Sequence, residues 1–107
     1  MLINKQKKAI KKAAHHEKAI LQIGKNGLKD ELIEQIDQAL EKRELVKVSV
    51  LQNAGIETDQ ALEAIDQALA PQFAYSIGHT IILYRTSSEE KNQKLSKEIR
   101  ALKNKGV

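Results

Sequence analysis

The chain has no cysteine and no tryptophan, one proline, five glycines and three aromatic residues among 107. Without cysteine there is no disulfide framework and no thiolate chemistry, which fits a reducing compartment. The three rings, Phe73, Tyr75 and Tyr84, are too few for recognition by sheet-face stacking, which presents several exposed aromatics. No stretch approaches the roughly 20 apolar residues of a membrane span. No apolar signal core follows Met1-Leu2-Ile3-Asn4-Lys5, so the expectation is a cytoplasmic protein without a membrane partner. Phosphate-loop and dinucleotide fingerprints are missing, as is a serine in a nucleophile-elbow setting. The length suits one domain, able to bury about 60–70% of its unfolded surface.

What is present is charge, unevenly spread. Residues 1–29 carry +7, residues 30–70 carry −7 and residues 71–107 carry +4, within a net +4. Basic ends around an acidic middle suggest one polyanion-binding face and one solvated face.

Asn4 is a candidate N-cap for a first helix to Ala14. Ala9, Ile10, Ala13 and Ala14 share one side of it, and Lys5, Lys8 and Lys12 recur at i, i+3, i+7 on another. Ala19–Ile23 reads as a short buried strand. A second helix is expected over about 28–42, with Leu28, Leu32, Ile33, Ile36 and Leu40 as its apolar stripe. Leu45–Leu51, rich in β-branched residues, is a strand. A third helix, capped by Thr58 or Asp59, runs to about Ala70 and stops at Pro71. Strands 73–77 and 80–85 flank Gly78-His79, a type II′ hairpin turn. Ile-Asp-Gln-Ala-Leu occurs at 36–40 and again at 65–69, as a short duplication would produce, or, the favoured reading, two helices packing on one sheet. The order α–β–α–β–α–β–β predicts an α/β fold with a mixed four-stranded sheet. Strand order is not legible.

Between the first strand and the second helix stands Gly24-Lys25-Asn26-Gly27. Glycine admits close backbone approach and positive φ. The following helix start offers unpaired N–H groups and a positive dipole end. Lys25 adds a charge, and Asn26 can reach a sugar or base edge. A plain strand–turn–helix connection would use the same glycines. The lysines of the first helix raise the weight of the phosphate reading, because they can share a surface with the turn.

Catalysis finds little support. His15 and His16 point about 100° apart on a helix and make no i, i+4 metal pair. They read as polar residues at a helix end, with a place beside phosphate as the alternative. His79 reads as a turn residue. No metal or cofactor is called for.

Several blocks resemble the CRM (chloroplast RNA splicing and ribosome maturation) domain, especially its stand-alone bacterial YhbY-type members. They are Lys5-Gln6-Lys7, Ala14-His15-His16, the segment Gln22–Leu28, the segment Ala39–Val48 and the segment Ile77–Arg85. The resemblance implies a fold similar to the C-terminal domain of translation initiation factor three. It also implies binding to ribosomal RNA in large-subunit (pre-50S) precursors, with the glycine-turn role falling on Gly24, Lys25, Asn26 and Gly27. Where family members often have Leu-Lys-Pro after the histidines, this chain has Glu17-Lys18-Ala19. Lys5, Lys8, Lys12 and Arg85 are expected to widen the basic surface. The expectation is a non-enzymatic, monomeric RNA-binding protein, with a protein-recruiting module as the alternative. The RNA-binding domain is placed at 1–86. Residues 87–107 form a basic extension that could dock as a helix, fold on a partner or remain solvated; Ser87 and Glu90 are candidates for a capping box.

Overall fold

The computed structural model describes residues 1–103; the last four residues of the basic tail lie outside the described residues. The elements are α1 (Asn4–Ala14), β1 (Leu21–Ile23), α2 (Asp30–Arg43), β2 (Leu45–Val50), α3 (Thr58–Leu69), β3 (Phe73–Ile77), β4 (Thr80–Tyr84), a 3₁₀ turn (Glu90–Asn92) and α4 (Leu95–Lys103). The expected mixed four-stranded sheet is present, in the order β1-β2-β4-β3. β1 and β2 are parallel across the α2 crossover, and β4 runs antiparallel to both β2 and β3. Gly78 alone has positive φ in the β3–β4 turn, +58°, as a type II′ turn requires.

Alternation along the strands sends residues to two helical layers. Val46, Val48 and Val50, with Ile81 and Leu83, meet Ile36 and Leu40 of α2 and Ile65 of α3 in the larger core. The repeated pentapeptide therefore places Ile36 and Ile65, both fully buried, against the same sheet face. On the opposite face Leu45, Ile82 and Tyr84 pack under Ile10 and Ala14 of α1 and Ile99 of α4.

The expected N-caps, Asn4 for α1 and Thr58 or Asp59 for α3, are corrected to earlier residues. Ile3 caps α1, and its backbone N–H donates to Gln6 Oε1 at 2.8 Å; Glu57 caps α3 through Gln60 Oε1 at 3.1 Å. A glutamine three residues inside the helix satisfies the cap N–H in each case, which is the returning half of a capping box.

The segment after Thr86 folds back, and α4 lies against α1, where Gln6 Nε2 donates to the Ile99 carbonyl at 3.0 Å. Ser87 makes no capping box; the 3₁₀ turn starts from Glu89. Ser87 Oγ instead donates to the Glu41 carbonyl at 2.6 Å and accepts from the Glu89 N–H at 3.0 Å. The anchor of this arrangement is Glu44. It ends α2 with φ +64° and is fully buried. Its carboxylate accepts from the Ser87 N–H at 2.7 Å and the Ser96 N–H at 2.9 Å. One buried acid thus ties the start of the C-terminal segment and the start of α4 to the end of α2.

Glu41, a turn earlier, accepts from the Ser88 hydroxyl and backbone N–H. Those bonds, with Arg85 nearby, hold its carboxyl below the ordinary value of 4.5 against the opposing effect of burial. A lowered folded value contributes stability above the unfolded pKa and loses it as pH falls through the folded one. Urea unfolding midpoints measured from pH 7 downward should therefore fall on acidification below about pH 4.5, and Glu41→Gln should flatten part of that decline.

Candidate nucleic-acid interface

The glycine turn closes with a hydrogen bond from Gly27 N–H to the Gly24 carbonyl, 2.9 Å. Lys25 and Asn26 occupy its two central positions and are exposed. Only Gly27 has positive φ, +72°; at Gly24 an added Cβ would lie 3.7 Å from Leu51 Cδ1, an ordinary contact. The two glycines therefore differ in kind. Gly27→Ala should cost about 1–2 kcal/mol from backbone strain. Gly24→Ala should leave thermal stability unchanged, so any loss of ligand affinity in that variant reports on backbone approach. Paired melting curves of the two variants check this.

The turn borders a depression of about 280 Å³ lined by Gln22, Lys25, Asn26, Lys29 and the first turns of α2. Lys29 is the N-cap of α2 and leaves that helix start without a side-chain cap. Uncapped first-turn N–H groups and two nearby lysines favour an anion. Glu31 also lines the depression and opposes one. Glu31→Gln should raise affinity for a polyanion about two- to threefold, in line with the few tenths of a kcal/mol that such exposed charges contribute.

The charge pattern becomes spatial. Lys5, Lys8, Lys11 and Lys12 are exposed on α1, on one side of the sheet; Glu34, Asp59, Glu63 and Asp66 are exposed on α2 and α3, on the other. The Lys47 ammonium donates to the Ala14 and Glu17 carbonyls, 3.2 Å each, and so closes the C-terminal end of α1. Lys7 lies over Phe73, in the row of Leu45, and Lys11 over Tyr75, in the row of Lys47, so α1 runs toward the glycine-turn end of β2. Lys12 is then at the near end of the helix and Lys5 about 10 Å farther away, at 1.5 Å per residue.

Arg85 is not brought to this surface. It follows β4 where Tyr84 pairs with Leu45, whereas the glycine turn follows Ile23, which pairs with Val50. Five residues of β2 separate the two ends, about 17 Å. The Arg85 guanidinium binds Asp37 Oδ1 at 2.6 Å, lies 3.7 Å from Glu41 and donates to the Leu69 carbonyl at 3.2 Å. It ties α2 to the end of α3.

Two of the three aromatics flank α1. Phe73 and Tyr75 form a tilted pair with centroids 5.0 Å apart. Lys11 Nζ lies 5.6 Å from the Tyr75 centroid, and Lys7 Nζ lies 5.8 Å from that of Phe73. Tyr84 is buried in the core. Lys29 and Gln22 also line the depression, and each has a signal in the sequence. Lys29 directly precedes the acidic start of α2, and Gln22 alternates with the buried-face Leu21 and Ile23.

A profile of the CRS1 / YhbY (CRM) domain matches residues 2–85. The chain is 45% identical over 95 residues to the "Probable RNA-binding protein YqeI" of Bacillus subtilis, covering 89% of this chain and 99% of that one. It is 39% identical to an "RNA-binding protein" of Haemophilus influenzae over 86% of this chain and 93% of the relative. The solution structure of hypothetical protein SAV1595 from Staphylococcus aureus, described as a candidate RNA-binding protein, superposes with a TM-score of 0.62 at 39% identity. That likeness covers 88% of this chain and 98% of the other. With the match spanning β1 to β4 and the glycine turn in its place between β1 and α2, the chain belongs to the CRS1/YhbY (CRM) domain family.

Proposed function

We propose that the protein binds RNA, and that its target is ribosomal RNA in precursors of the large ribosomal subunit. The observation that carries the reading is the separation of charge across the sheet. α1 presents exposed lysines on one side, the exposed acids of α2 and α3 stand on the other, and the Gly24–Gly27 turn lies at the end toward which α1 points. Family membership and the names of the relatives support RNA as the ligand.

The mechanism is a backbone grip. Gly24 and Gly27 leave room for a phosphate near the turn, and Lys25 pairs with it. Asn26 contacts sugar or base. Lys5, Lys8 and Lys12 hold neighbouring phosphates by charge, and Lys29 joins Lys25 at the start of α2. No step in this scheme makes or breaks a bond. The acidic layer repels the same polyanion and so fixes which side of the protein faces it.

Phosphate pairing releases counterions, so affinity should fall steeply with salt, at about 0.7 log units per contact per tenfold rise for single strands. Filter binding to ribosomal RNA across a salt series tests this, and a flat profile would argue against a phosphate grip. Pull-downs from lysate with and without nuclease distinguish an adaptor role, whose partners would survive nuclease.

A further inference from the structure

The register of the sheet puts Gln22, Ser49, Thr80 and Ile77 in one row across all four strands. By alternation this row shares the face of Tyr75, Ile82 and Leu45. Those residues lie under or beside α1 and α4. α1, however, ends at Ala14, pinned there by Lys47 one row short. The last row is therefore open: Ile77 is 61% exposed, Gln22 is exposed, and Ser49 and Thr80 are half-buried.

The open row has a chemistry of its own. It carries an amide, two hydroxyls and one aliphatic side chain, with no charge. Gln22 also lines the depression of the glycine turn. At the other edge Ile77 and Tyr75 line a small notch with Lys11 and His15. Three strand spacings, about 14 Å, separate the two margins.

We propose that this row is the track of an unpaired RNA segment that leaves the glycine turn and crosses the sheet to Tyr75. The proposal rests on the RNA-binding reading and adds the path and the strandedness of the ligand. Gln22, Ser49 and Thr80 offer donors and acceptors to base edges and 2′-hydroxyls. Ile77 receives a base face, with Tyr75 lining the notch behind it, and the lysines at the margins pair with the flanking phosphates. Duplex RNA keeps the faces of its internal bases stacked and so has none to lay on Ile77.

The probe is total bacterial ribosomal RNA cut to short fragments by limited alkaline hydrolysis, with binding read by filter retention. Ile77→Glu should weaken binding about tenfold or more, within the range of one lost base contact, with native circular dichroism. Gln67→Glu, the same added charge on exposed α3, should bind as wild type. Ile77→Ala should weaken binding several-fold with an unchanged salt slope, because no phosphate contact is removed; this neutral variant also keeps the test decisive if Ile77→Glu misfolds. Wild-type affinity in both Ile77 variants, alongside loss of binding in Lys25→Asp/Asn26→Asp, would overturn the track and leave the grip standing. Wild-type affinity in all of them would overturn both.

Discussion

Lys25→Asp combined with Asn26→Asp will lower RNA affinity about a hundredfold or more while the circular dichroism stays native. Both side chains are exposed at the centre of the turn, and the bond that closes it joins the backbone of Gly27 to that of Gly24. Neither substitution touches the core, so the fold has no reason to respond. The ligand does. A charge-assisted hydrogen bond to phosphate is worth about 1.5–3 kcal/mol. Replacing lysine by aspartate removes it and adds repulsion, and the second aspartate adds more. About 3 kcal/mol corresponds to roughly a hundredfold in affinity. Electrophoretic mobility shift at fixed salt measures it. Unchanged affinity would remove the turn from the interface.

The second large effect concerns stability. Glu44→Ala should destabilise the protein by about 3 kcal/mol and release α4. The carboxylate is fully buried and accepts from the Ser87 and Ser96 N–H groups. Truncation leaves two buried donors without a partner, at about 1–3 kcal/mol each. Glu44 also adopts φ +64°, which alanine tolerates no better, so no backbone relief offsets the loss. At about 4–8 °C per kcal/mol for a domain near this size, the melting temperature should drop by 12 °C or more. Hydrogen exchange should show amides in α4 exchanging faster than those of β2 and β4. Uniform loss of protection across the chain would mean that α4 and the sheet unfold as one unit.

These two sites show what was legible in the sequence and what was not. The helices and strands were readable because their apolar residues recur at clear periods; Leu32, Ile33, Ile36 and Leu40 announce α2, which starts at Asp30, two residues after the expected Leu28, and the β-branched run announces β2. The glycine turn was readable because it stands between two such segments. Strand order was not, since the β1-β2-β4-β3 arrangement depends on which neighbour a strand meets after a long crossover. Side-chain partners across the chain were hidden for the same reason. Glu44 looks like one more acid in an acidic stretch, yet its partners lie 43 and 52 residues away. Lys47 looks like the solvent-facing member of an alternating strand, yet it closes α1. Arg85 carries a basic charge near the basic C-terminal third, and only the packing of α2 against the hairpin reveals the aspartate that engages it. Charge counted along the chain located the basic and acidic layers correctly. It could not say which individual cations were already spent inside the fold.

The same distinction bears on the tail. Leu95, Ile99 and Leu102 form a thin stripe, too short to establish a helix by periodicity alone. Contact with Leu2, Ala9, Ala13 and Ile10 supplies what local propensity lacks. The basic residues of α4 are thereby held beside α1 rather than trailing free.

Crosslinking in cells, followed by sequencing of the attached RNA, decides whether the glycine turn grips ribosomal RNA. Reads should concentrate in large-subunit ribosomal RNA and its precursors and should be lost in the Lys25→Asp/Asn26→Asp protein expressed at equal level. Recovery of no RNA above background, or of the same RNA from the variant, would contradict that grip.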